Sequence, residues 1–189
     1  MGIDSRILVI FTVLIIFISA GCCGSSSSYA KDGTTSNSGA VSSQQSNQPL
    51  TVSTQQTLVV RSYSGDAEIT VDDVIRGNSA NSIVEQGNMF NPEPDTGYEY
   101  ILYNVRVKNT GDDSLSIMPL NEFPLYANGV KSDLTFAVLP ENYHDYSATL
   151  ELLAGGETNG WIVSEVPVGS NVKMAYEPLI GDVVGFVQF

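Results

Sequence analysis

Apolar and polar positions divide the chain into three textures. A nearly unbroken apolar run extends from Ile7 to Ile18, interrupted by Thr12 and preceded by Arg6. A polar stretch follows from Gly24 to Pro49, GSSSSYAKDGTTSNSGAVSSQQSNQP. From about Leu58 onward, short apolar runs alternate with turn signals. In YEYILYNVRVK, Ile101, Tyr103, Val105 and Val107 share one face, with Leu102, Asn104, Arg106 and Lys108 on the other. That period of two predicts a half-buried strand. NTGDD then supplies a turn, with Gly111 available for a positive φ.

Further strands are predicted at Ala67–Ile75, Glu122–Ala127, Asp133–Leu139, Trp161–Val166, Val172–Pro178 and Asp182–Phe189. Turn pairs stand at Asn128-Gly129, Gly155-Gly156 and Gly169-Ser170. No stretch shows a helical period with caps, so the long segment Gly77–Thr96 is expected to be a loop. The pattern predicts an all-β fold, an immunoglobulin-like antiparallel β-sandwich of about seven to nine strands.

The leader adds an address. A charged start, an apolar core and the small residues Ser19, Ala20 and Gly21 before Cys22 give the order of a secretory signal. The apolar run falls a little short of the roughly 20 residues of a spanning helix, so cleavage and a retained N-terminal anchor both stay open. Ile18-Ser19-Ala20-Gly21-Cys22 resembles a lipobox, in which the cysteine thiol receives a diacylglyceryl group; Ser19 departs from the usual leucine. Two acyl chains would hold the protein on a membrane, whereas one chain binds marginally. The polar stretch cannot bury enough surface to offset the entropy of ordering, and is expected to be a tether with an r.m.s. span of ~25–30 Å. The expected organisation is a leader over residues 1–23, a serine-rich disordered tether over 24–50 and a sandwich domain over 51–189.

Charge narrows the partners. The 189 residues carry 21 acidic and 8 basic side chains, a formal net charge of -13. Nucleic acid is an unfavourable partner, since phosphate binding needs clustered Lys and Arg. An anionic membrane surface would repel the chain, so attachment is expected through the lipid or the hydrophobic anchor.

NVRVKNTGDDSLSI, NEFPLYANGVKSD and LAGGETNGWIVSEVPVGSNVKMAYEP together resemble a prokaryotic immunoglobulin-like domain of unknown function. That domain recurs in bacterial and archaeal lipoproteins and is similar to secreted mycobacterial immunoprotective antigens; a telomere-binding label sometimes attached to it finds no support in this acidic chain. The resemblance covers roughly Ala67 to Phe189 and implies a surface β-sandwich with no catalytic residues. The long Gly77–Thr96 segment departs from it.

Candidate chemistry is sparse. One histidine and two adjacent cysteines cannot assemble a four-ligand metal site, so neither a metal nor a cofactor is expected. His144 stands beside Asp145 and near Ser147, but residues so close in sequence do not readily form a nucleophile–base–orienter geometry, and an exposed loop histidine is the simpler expectation. Asp72-Asp73, Glu93 with Asp95, and Asp112-Asp113 could offer oxygens to calcium, yet lack the spacing of a dedicated loop. Trp161 is expected in the sandwich core.

Two segments look like recognition loops. The first exposes Ile83, Val84, Met89 and Phe90; the second gathers Tyr143, His144 and Tyr146. The competing reading is that these side chains fold back and plug the end of the sandwich. The sequence therefore predicts a non-enzymatic, membrane-anchored cell-surface module that binds an extracytoplasmic protein or envelope component. The alternative is a protease inhibitor presenting Asn91–Thr96 as an extended loop.

Overall fold

The computed structural model describes residues 49–189. Eleven strands form a five-stranded sheet, a four-stranded sheet and a two-stranded ribbon. In chain order they are β1 (Leu50–Ser53), β2 (Thr57–Ser62), β3 (Gly65–Arg76), β4 (Tyr98–Asn109), β5 (Leu115–Ile117) and β6 (Leu125–Ala127), then β7 (Val130–Lys131), β8 (Leu150–Leu152), β9 (Glu157–Pro167), β10 (Val172–Tyr176) and β11 (Gly185–Gln188). Helix α1 (Asn78–Gly87) lies between β3 and β4, and the single turn α2 (Pro119–Glu122) precedes β6.

One sheet runs β2-β3-β4-β9, the other β1-β11-β10-β6-β7, and β5 pairs with β8. The pairing is antiparallel except for β1, which joins β11 in parallel. The fold is thus a β-sandwich of one antiparallel and one mixed sheet. Its two layers are those of an immunoglobulin-like architecture, although consecutive β3 and β4 are neighbours in one sheet; sandwiches of this kind share layers more faithfully than connectivity.

The inward faces make the main core. Leu58, Ile69, Val71, Ile101, Tyr103, Val105 and Val107 face Leu125, Val172, Met174, Tyr176 and Val187, all buried. The Tyr103 hydroxyl donates to the Phe123 carbonyl at 2.8 Å, satisfying a polar tip that burial would otherwise leave costly. In β3 the ladder shifts register between Val71 and Asp73. Val71 opposes Val105 and Val74 opposes Tyr103, so the bulge carries the apolar phase from odd to even positions while both stay on the inner face.

Several expectations need correction. Asp133–Leu139 is not a strand: only Leu134 bridges Ser164, and the segment crosses beside β9 with Phe136 and Val138 exposed. Glu122–Ala127 splits into the end of α2 and the short β6, because Pro119 favours a helical first turn. Strands β1, β2, β5, β7 and β8 are additional to those expected, the longest being β2 with six residues, and β1 begins at Leu50, one residue before the expected domain start. The Asn128-Gly129 turn is present with φ 51 and 86, but Gly111 takes no positive φ. There the Asn109 side chain shapes the turn, accepting from Gly111 N at 2.9 Å and donating to the Asp113 carbonyl at 2.7 Å.

Candidate functional site

The Gly77–Thr96 segment is the largest departure from the sequence reading. Residues Asn78–Gly87 form α1, which begins after Gly77 (φ 68, ψ -142) with no side-chain cap. Helix-poor asparagines and serines hide the pattern, yet Ala80, Ile83, Val84 and Gly87 follow the i, i+3, i+4, i+7 spacing of one helical face. Ala80 and Val84 are fully buried against Tyr100, Leu102, Val163 and Leu139, forming a second core on the outer face of the four-stranded sheet. Ile83 and Val84 therefore hold the helix down and do not form a contact surface.

Polar clamps fix this insertion. The Asn81 Oδ1 accepts from Tyr100 N at 2.9 Å. Arg76 donates to Glu99 at 2.6 Å and to the Ser170 carbonyl at 2.8 Å, tying the helix start to the β9–β10 turn. At the other end, Asn91 Nδ2 donates to the carbonyls of Val84 (2.6 Å) and Val138 (2.8 Å), while its Oδ1 accepts from Val138 N (2.9 Å). The side-chain amide thus replaces a strand partner for Val138 and satisfies one carbonyl in the last turn of α1. Gly87 allows the approach: a Cβ there would lie 2.1 Å from the Val138 carbonyl oxygen.

Met89 and Phe90 leave this clamped frame for solvent, each 85% exposed. They do not plug the sandwich end. Behind Met89 runs a groove of about 660 Å³ between the polar face of α1 and the strap Asn91–Pro94, bordered by Asn81, Glu85, Asn88 and Glu93. Tyr100 forms part of its wall, and its hydroxyl donates to the Pro92 carbonyl at 2.9 Å. Burial, and then the charges of Glu165 and Asp95, push the Tyr100 pKa up.

The second loop is brought partly beside the same outer face. Tyr143 packs edge-on against Trp161 with ring centroids 5.3 Å apart. Trp161 is only half buried and belongs to the outer cluster, not to the sandwich core, because its place opposite Asn104 puts it on the outer face. His144 is exposed, as expected. Tyr146 is fully buried and so unavailable for contact; its ring occupies the space left by the absent side chain of Gly160, where a Cβ would fall 2.6 Å from Tyr146 Cγ. Period-two reading of a tyrosine-rich loop carried no signal for that inward turn.

The sequence profile of the domain of unknown function DUF4352 matches residues 60–183. The chain belongs to the DUF4352 family. Among solved structures, a candidate lipoprotein, ycdA, from Bacillus subtilis subsp. subtilis str. 168 is 23% identical with a TM-score of 0.51. The match covers 70% of this chain and 37% of that one, so the chain spans little more than a third of that protein. The secreted protein MPT63 of Mycobacterium tuberculosis is 15% identical with a TM-score of 0.51, over 76% of this chain and 100% of its own. These likenesses show a shared fold. No curated protein matches the chain in sequence.

Several polar groups of this DUF4352 domain are engaged in structure. Asp72 takes a two-pronged contact from Arg106, at 3.0 and 2.9 Å, and Ser147 donates to Asp145 at 2.9 Å. Asp95, Asp133 and Glu165 border one cleft of about 310 Å³. Among the described residues, no three His, Cys, Asp or Glu side chains converge as a metal ligand set. Asn91–Thr96 is not a protruding loop: Asn91 and Pro92 are bonded to the body, and Asp95 N donates to Glu165 at 2.6 Å. Among the described residues no helix is long and apolar enough to cross a membrane; the leader, Cys22 and the polar stretch through residue 48 lie outside them.

Proposed function

We propose that the protein is an exported, membrane-tethered, non-catalytic binding module whose contact surface is the end of the α1 insertion around Met89 and Phe90. The observation that carries this reading is the pair of large apolar side chains, each 85% exposed, on a segment that Asn91 locks to the end of α1 and to the Val138 backbone. A rigid frame presenting exposed apolar anchors lowers the ordering cost of association, which is what a binding surface requires. Export and lipidation at Cys22 are supported by the apolar leader and its small-residue junction.

A photo-crosslinking residue placed at position 90 of the full-length chain, in intact cell envelopes, tests the contact surface. A discrete crosslinked partner, lost when Met89→Ser is added, is the expected result. An unchanged monomer, with crosslinks appearing only from a control position at the remote Asp112, would overturn it. Mass analysis of the N-terminal peptide tests the anchor: a diacylated cysteine at position 22 is expected, and an intact Met1 or a free thiol would reject lipidation.

A further inference from the structure

The chemistry of the partner follows from how charge is distributed on the domain. Every lysine and arginine among the described residues already has an internal partner. Arg76 faces Glu99, Arg106 faces Asp72 and Glu157, and Lys131 faces Glu177. Arg61 and Lys108 lie within 3.8 and 3.9 Å of Asp66 and Glu68, and Lys173 sits 3.6 Å above the Phe186 ring. The groove beside α1 receives none of these cations. Glu85 on α1 and Glu93 on the strap line it, both exposed, together with Asn81, Asn88 and Met89. Asp95 and Glu165 extend the negative stretch past Tyr100, whose raised pKa has their charges among its causes.

We infer that this groove receives a basic, amphipathic peptide segment of a partner protein, one that sets an apolar side chain against Met89 and Phe90 and a lysine or arginine between Glu85 and Glu93. The inference rests on the binding role proposed above and adds the chemical class of the partner. Charge complementarity selects this occupant. In a second copy of the same chain the acidic rim would meet a like rim, and an anionic lipid surface would be repelled. Exposed Met adapts to varied apolar side chains, while the two carboxylates on opposite walls restrict the register of a cation.

Titration of the full-length chain with two synthetic twelve-residue peptides tests this inference: one of alternating lysine and phenylalanine, and one with glutamate in place of each lysine. The lysine peptide is expected to bind and the glutamate peptide not to bind. Glu85→Gln with Glu93→Gln should weaken the lysine peptide by about five- to tenfold, and rising salt should weaken it further. Met89→Ser with Phe90→Ser should weaken it at every salt concentration. Asp112→Asn with Asp113→Asn, equal in charge change but in the turn after the far end of β4, should leave affinity unchanged. An equal loss from both carboxylate pairs, no binding, binding of the glutamate peptide, or concentration-dependent self-association through position 90 would each overturn the inference. If the peptide fails while the envelope crosslink at position 90 persists, the partner class is wrong and the binding role stands; loss of both removes both.

Discussion

The two halves of β4 read alike in sequence and live in different surroundings. From Val105 to Asn109 the strand is one-sided: Val105 and Val107 face the core, while Arg106 and Lys108 reach into solvent beside Asp72, Glu157 and Glu68. From Tyr100 to Asn104 both faces are buried, Ile101 and Tyr103 by the opposite sheet and Tyr100 and Leu102 by α1. Asn104 marks the change, its Oδ1 accepting from Asn159 Nδ2 at 3.1 Å. The same alternating backbone is solvated where nothing crosses it and covered where an insertion lands. The proposed surface belongs to the covered half, where α1 rests on the sheet and leads into the exposed Met89 and Phe90.

The contrast can be broken at either end. Leu102→Ala should cost the most, about 3 kcal/mol in urea unfolding, since it opens a cavity beneath α1; a loss below 1 kcal/mol would mean that the helix is not packed there. Gly160→Ala should cost about 1–3 kcal/mol by driving a methyl into the Tyr146 ring on the inner face, and Tyr146→Ala in the same chain should relieve part of it. Asn91→Ala should cost about 1–2 kcal/mol and speed amide exchange of Val138 selectively, because one of its three hydrogen bonds holds the helix end and two hold the Val138 backbone. In the open half, Arg106→Ala should cost less than about 1 kcal/mol, diminishing further in high salt, because both members of that pair are well exposed. Met89→Ser with Phe90→Ser should change stability by no more than about 0.5 kcal/mol; a larger loss would restore the plugging role for these side chains.

Legibility followed the length of the repeating signal. The long strands β3, β4 and β9 were readable because each carries several alternating apolar positions, in β3 on the N-terminal side of its bulge. Asp133–Leu139 shows the same alternation but does not complete a ladder: Thr135, Ala137 and Leu139 turn inward, while Leu134, Phe136 and Val138 remain exposed. Alternation reports which side of a segment is buried, not whether a neighbouring strand accepts its hydrogen bonds. In α1 only three apolar residues carry the helical face, too few to stand out among Asn, Ser and Gly of low helix propensity. Its stability comes from Tyr100 and Leu102, distant in sequence, which is a tertiary contribution.

For the candidate site, an exposed His144 was expected, whereas Met89 and Phe90 were read either as recognition side chains or as a plug; the structure exposes all three, while Tyr146 and Val84 turn inward. Two cavities decided that: one opposite Gly160, the other beneath α1. By itself the sequence determined the β-sandwich class, the principal strands, the acidic character and the expectation of an exported, anchored chain, because these depend on local periodicity and composition. Only the tertiary structure decided which of two similar half-strands is covered, where the insertion is clamped, and that two carboxylates and the exposed Met89 border one groove. Those facts depend on contacts between residues far apart in the chain, and no local pattern encodes the distance between them.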